Sequence, residues 1–256
     1  MIVEFIGLPG SGKSTVMRQF FAGLPAQEVR YLPEGAALLM VGRRKFDRIF
    51  RIPLKLLPQG FALQVCPKVW LKSRQRAECQ VRFLAKHGAA LGAFTSSGIH
   101  DAMSTVDRFR VIDSFLETGA FREFLDDPQM ADRIVLFGEG LVQKSFMFVD
   151  HSDVVVESAD VVRYLEKIPL PDLVINLRVS TSVSFERMTG RASGLTQRLK
   201  AADAATIRRF LDKAAHHLDL LSGWFARNHP DRMLTIDNRD SVASASAELR
   251  ERLLAL

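Results

Sequence analysis

Residues 7–14 read Gly-Leu-Pro-Gly-Ser-Gly-Lys-Ser and are followed by Thr15. This is a complete G-x-x-x-x-G-K-[ST] loop, and its flanks restrict the fold more than any other feature of the chain. Before it, Ile2-Val3-Glu4-Phe5-Ile6 reads as a buried strand; after it, residues 15–21 read as a helix start. A strand that delivers a glycine-rich turn to a helix N-terminus builds a phosphate cradle. Gly7, Gly10 and Gly12 allow the backbone angles that gather successive N–H groups around an anion. The helix N-terminus adds partial positive charge. Within the expected nucleotide-binding stretch, which also includes Ser11 and Thr15, Lys13 is placed to reach β- and γ-phosphates. The Ser14 hydroxyl is placed to ligate Mg²⁺.

The rest of the chain repeats the strand-then-helix rhythm. Residues 28–32 form a second short strand, ending before Pro33-Glu34-Gly35. Residues 36 to about 130 read as mostly helical; Pro67 marks one helix start, and Gly88, Gly92 and residues 95–98 interrupt the pattern. Residues 133–137 and 173–179 are strongly apolar strands, with helices expected over 141–149 and 153–167 between them. A long helix spans about 204–226, with Ile207, Phe210, Leu211, Ala214, Leu218, Leu221 and Phe225 on one stripe and Asp203 as N-cap. Residues 233–236 and 243–254 close the chain as strand and helix. Such alternation predicts an α/β fold with a doubly wound parallel sheet, which binds ligands at the carboxyl ends of its strands. The loop, Glu34, Glu139, the turn after Val179 and Asp237-Asn238-Arg239 all fall at that edge.

A chain of 256 residues with 47% hydrophobic content fits one P-loop domain. No apolar run approaches the ~18 residues of a membrane span. A signal peptide is not expected, because cleavage would remove the loop at Gly7. Cys66 and Cys79 are the only cysteines and match no metal spacing, which points to a reducing cytoplasm. The net charge of +6 is unevenly spread: residues 43–86 hold 12 Lys/Arg against Asp47 and Glu78 alone. That segment is either a solvated helical surface or the contact for an anionic partner. Asp101, Asp107, Asp113, His87, His100, His216 and His217 lack a discriminating context and read as surface or structural. Trp70 and Trp224 read as core.

A phosphate loop serves kinases, switch GTPases and motor ATPases alike. N-K-x-D and D-x-x-G are absent, and no Asp-Glu pair ends an apolar strand. Residues 169–179, Pro-Leu-Pro-Asp followed by Leu-Val-Ile-Asn-Leu-Arg-Val, resemble the P-x-P-D strand of nucleoside and nucleotide kinases, especially the thymidylate-kinase-like group. Arg187, Arg191 and Arg198 then follow at the position of that group's arginine-bearing lid, about 189–199, where Gly190 and Gly194 allow movement. The resemblance implies a nucleotide-kinase-like fold with a helical acceptor-side insertion over about 36–130. It implies an acid after the second strand as base, matched by Glu34. Relatives carry an Asp-Arg or Asp-Glu pair after the third strand; here the sequence reads Gly138-Glu139-Gly140 and the first acid is missing, leaving Glu139 to hold Mg²⁺ through water or act as base. Asn238 occupies the loop that packs beside the purine in such kinases.

Phosphoryl transfer needs alignment and positive charge in a water-poor site, which a closing lid with guanidinium groups supplies. The expectation is an ATP- and Mg²⁺-dependent phosphotransferase acting on a small, anionic hydroxyl or phosphate acceptor. A regulatory NTPase and a polynucleotide 5′-hydroxyl kinase, whose basic segment would track a phosphate backbone, are the alternatives.

Overall fold

Each apolar run read as a strand becomes one. The computed structural model describes residues 1–22, 29–31, 74–126, 134–149, 154, 157–190, 195, 199–200, 202–238 and 242–254. Within them β1 (Ile2–Ile6), β2 (Val29–Tyr31), β3 (Ile134–Phe137), β4 (Leu173–Arg178) and β5 (Met233–Asp237) form one sheet in the order β2-β3-β1-β4-β5. Every pairing is parallel. The chain runs outward from β1 to β2, returns to β3, then crosses β1 to reach β4 and β5. The strand order therefore reverses at β1, which places the ligand crevice at the strand ends beside it.

Strand periodicity sorts the side chains onto two faces. Val3 pairs in register with Leu136 and Leu173, and all three join Phe5, Ile175, Leu177 and Ile236 in one apolar layer. Val16, Met17 and Phe20 of α1 (Lys13–Ala22) and Ala245 and Leu249 of α9 (Val242–Leu254) cover that layer. Ile6 and Val174 point the other way, into the larger core under the remaining helices. That core is supplied by α2 (Arg74–Thr95), α3 (Gly98–Ala102), α4 (Thr105–Leu125), α5 (Leu141–Lys144), α6 (Ser158–Leu165), α7 (Thr181–Thr189) and α8 (Ala204–Asn228). Both faces are covered, which is the doubly wound arrangement expected. The described residues between β2 and β3 that lie in 74–126 are helical, apart from short turns. No helix among the described residues is long and apolar enough to cross a membrane.

The expected α8 stripe is buried, and Asp203 caps the helix by accepting the Thr206 N–H at 2.7 Å. Two expectations are corrected. Gly88 and Gly92 do not interrupt α2, which continues to Thr95. A methyl group at either would meet no atom within 4 Å, so both lie on an open face. Each costs the helix about 1 kcal/mol relative to Ala. Burial of Cys79, Phe83, Ala90, Ala93 and Phe94 on the opposite face outweighs that cost. The helix expected over 141–149 is divided into α5 and a 3₁₀ turn, Ser145–Phe148. Ser145 directs both its N–H and its hydroxyl at the Val142 carbonyl, and this tightens the following turn.

Candidate active site

The phosphate loop joins the C-terminal end of β1 to the first turn of α1. Gly7, Gly10 and Gly12 have φ of 149°, 86° and 90°, the region that disfavours side chains. Space is as restrictive as torsion. A Cβ at Gly7 would lie 2.6 Å from the Leu177 carbonyl oxygen, and one at Gly10 would lie 2.8 Å from that of Ser184. The loop is closed on itself by Ser11 N–H to the Leu8 carbonyl at 3.0 Å and by Thr15 and Val16 N–H to the Gly12 carbonyl, both at 2.9 Å. Lys13 Nζ lies across the loop, donating to the carbonyls of Gly7 at 2.7 Å and Leu8 at 3.2 Å. The side chains of Ser14 and Thr15 are exposed in the first turn of α1, whereas Ser11 is buried.

Three elements grip this loop from outside: α5, α7 and the turn after β5. Gln143 of α5 accepts the Gly7 N–H on Oε1 at 3.0 Å. Ser184 of α7 donates its hydroxyl to the Pro9 carbonyl. Asn238, directly after β5, donates Nδ2 to the Ser11 carbonyl at 2.6 Å, while its own N–H continues the sheet by bonding the Arg178 carbonyl at 2.9 Å. Arg187 Nη2 then donates to the Asn238 carbonyl at 3.1 Å. The ends of β1, β3, β4 and β5 do converge, as their order predicts. The Asn238 side chain is fully buried and braces the loop. Arg187 is likewise tied to that brace.

Glu139 is exposed in the turn after β3 and pairs with Lys144, Oε2 to Nζ at 3.5 Å. Glu34, Arg191 and Arg198 lie outside the described residues, as do Arg43, Arg44 and Arg48. The described part of the basic segment is occupied by ion pairs. Arg74 bonds Glu78 at 2.8 Å, Arg76 meets Asp113 and Glu117, and Lys86 meets Glu123 at 2.5 Å with Arg82 at 3.6 Å from the same carboxylate. On α2 these positive charges therefore neutralise acids of α2 itself and of α4.

The acid that sequence reasoning passed over is Glu4. It sits inside β1, 2% exposed, on the face toward α5. Its Oε1 accepts the Gln143 N–H at 2.6 Å. Burial pushes its carboxyl up to about 7, against the opposing pull of the Gln143, Val142 and Gly140 N–H groups and of the Lys144 charge. A lone acid in an otherwise apolar strand leading into the loop was the available signal. His217 is a second buried titratable group, with Nε2 at 2.8 Å from the Ser145 hydroxyl. Burial holds its imidazole down at about 3, so it is neutral and structural.

No family model and no curated protein matches the chain. Among solved structures, it is similar to deoxyadenosine kinase from M. mycoides holding the products dCMP and a flexible dCDP, with TM-score 0.53 and 13% identity over 100% of both chains. The same kinase with bound dATP gives TM-score 0.50 and 16% identity over 99% of each chain. At such identity the likeness is one of fold: the sheet, its order and the position of the loop belong to a P-loop nucleoside-kinase-like architecture.

Proposed function

We propose that this chain is an ATP-dependent kinase that moves the γ-phosphate to a hydroxyl or phosphate of a small-molecule acceptor. One observation carries the reading. The loop at 7–14 stands at the carboxyl end of the central strand with its three glycines in left-handed torsions and Lys13 Nζ across its mouth. Loops of this shape hold phosphate by backbone N–H groups, and a lysine there exchanges carbonyl partners for phosphate oxygens. The exposed Ser14 hydroxyl in the first turn of α1 fits the Mg²⁺ position of such loops. The ion would neutralise phosphate charge there. Glu139 or Glu34 orients the acceptor, and Arg187, with Arg191 and Arg198, balances the charge of the transferring group.

The fold's likeness to a deoxyadenosine kinase makes nucleosides and nucleotides the first acceptors to try. The basic segment supports an anionic acceptor, with Arg43, Arg44, Arg48, Arg74 and Arg82 as its candidate contacts; Arg74 and Arg82 are already paired, so the first three lead. The test is an ATP-consumption screen over acceptor classes, with the product phosphate located by mass spectrometry, for the native protein and Lys13→Ala. Transfer should fall roughly 10²-fold or more in the variant. A folded Lys13→Ala protein with near-normal transfer would defeat the assignment.

A further inference from the structure

β1 is the strand on which the phosphate loop is mounted, and every side chain in it is apolar except Glu4. In register, Glu4 lies between Phe137 of β3 and Val174 of β4. No basic side chain among the described residues is hydrogen-bonded to it. Its partners are backbone N–H groups of the turn and helix that follow β3. Gly140, which begins that helix, has no room for a side chain: a Cβ there would lie 2.4 Å from Glu4 Cδ and Oε2. The next link is Gln143. Its N–H is held by Glu4, and its side-chain oxygen holds the N–H of Gly7, the first residue of the loop.

We propose that Glu4 is a positioning residue whose carboxylate seats the turn that carries Glu139 and, through Gln143, fixes the first amide of the phosphate loop. The proposal rests on reading the loop as an ATP site and deepens it. Charge is essential to the role. An ionised carboxylate offers acceptors to all the N–H groups it faces. A protonated carboxyl, or the amide of Gln, turns one oxygen position into a donor aimed at those same N–H groups. The other groups around Glu4 are Lys144 of α5, which favours its ionised form, and Arg122 of α4, which lines the same small cavity. Tyr164 of α6 is the third; burial raises its own pKa, and the Glu4 charge raises it further. With the carboxyl near 7, both forms are populated around neutrality, so the seating of the loop should follow pH.

A merely structural carboxylate would lower stability and transfer together. A positioning carboxylate predicts a separation. At pH 8, Glu4→Gln should keep its cooperative unfolding while kcat falls roughly 10- to 100-fold, more than the KM for ATP rises. Without nucleotide, the Gly7 amide resonance should titrate with a midpoint near 7 in the native protein and be flat in Glu4→Gln. Gln143→Ala cuts the link beyond Glu4, so it should also flatten the Gly7 titration. The double variant should be no slower than the worse single variant. A Gly7 resonance that is indifferent to pH, or rate losses that multiply in the double variant, would overturn the proposal. The Gly7 measurement needs no substrate, so it decides the relay even if ATP transfer itself proves absent.

Discussion

Ionising a carboxylate inside β1 has a calculable effect on stability, and Glu4→Gln exposes it. The Glu4 carboxyl is near 7 in the folded chain against an ordinary 4.5. A raised folded-state value means the folded protein holds the proton more tightly than the unfolded one. Its contribution is therefore most favourable below about 4.5, declines as pH rises from there to about 7, and is constant above. The difference of about 2.5 pH units corresponds to about 3 kcal/mol. His217 works in the opposite sense. Its imidazole is held at about 3 against 6.5, so stability is lost as pH falls from 6.5 toward 3. The native profile mixes both effects. The informative quantity is the difference in unfolding free energy between Glu4→Gln and the native protein, measured by urea denaturation from pH 5 to 8. That difference should shift by about 2–3 kcal/mol in favour of the variant as pH rises through this range. A difference that stays flat, with unchanged urea dependence in both proteins, refutes the titration of Glu4 and the physical argument built on it.

Other outcomes follow from the same contacts. His217→Gln should keep a partner for Ser145 yet lose the acid-side decline, worth up to about 5 kcal/mol between pH 6.5 and 3, in urea titrations at pH 4 and 7. Asn238→Ala removes the brace on the Ser11 carbonyl. It should destabilise by about 1–3 kcal/mol and weaken binding of a fluorescent ATP analogue, whereas unchanged binding would make the brace irrelevant to the loop. Gly119→Ala sets a methyl 2.2 Å from the fully buried ring of Phe83, where α2 and α4 meet. It should cost about 1–3 kcal/mol, part of which the double variant with Phe83→Leu recovers in denaturant melts.

What could be read from the sequence was what repeats locally. Strand and helix periods, the loop motif and the cap at Asp203 are set by residues within a few positions of one another, and the alternation of strand and helix indicates a doubly wound parallel sheet without giving the order of its strands. The contacts that complete the site are not local. Gln143 meets Gly7 across 136 positions, and Asn238 meets Ser11 across 227. No period or spacing encodes such a pair, so the sequence places Asn238 at its strand end without revealing its contact with Ser11. Gly88 and Gly92 mislead for a related reason: propensity is a local quantity, while α2 persists because its other face is buried by distant elements.

Glu4 combines both cases. Pattern marks it as a strand interior, where a charge is unfavourable, and an acid in that position is explained only if something compensates it. The compensating N–H groups belong to a turn more than 130 residues later in the chain. That turn also carries Glu139, and the helix after it reaches back to the phosphate loop through Gln143. A buried acid that served stability alone would be better replaced by an apolar side chain of similar volume, since burying an ionised group is unfavourable unless it is fully hydrogen-bonded. Its place at the junction of the central strand, the acid-bearing turn and the first amide of the loop instead puts the stability cost where it organises the chemistry. The predicted opposition between a stability difference that moves toward Glu4→Gln as pH rises and a slower transfer in that variant at pH 8 is the signature of that arrangement.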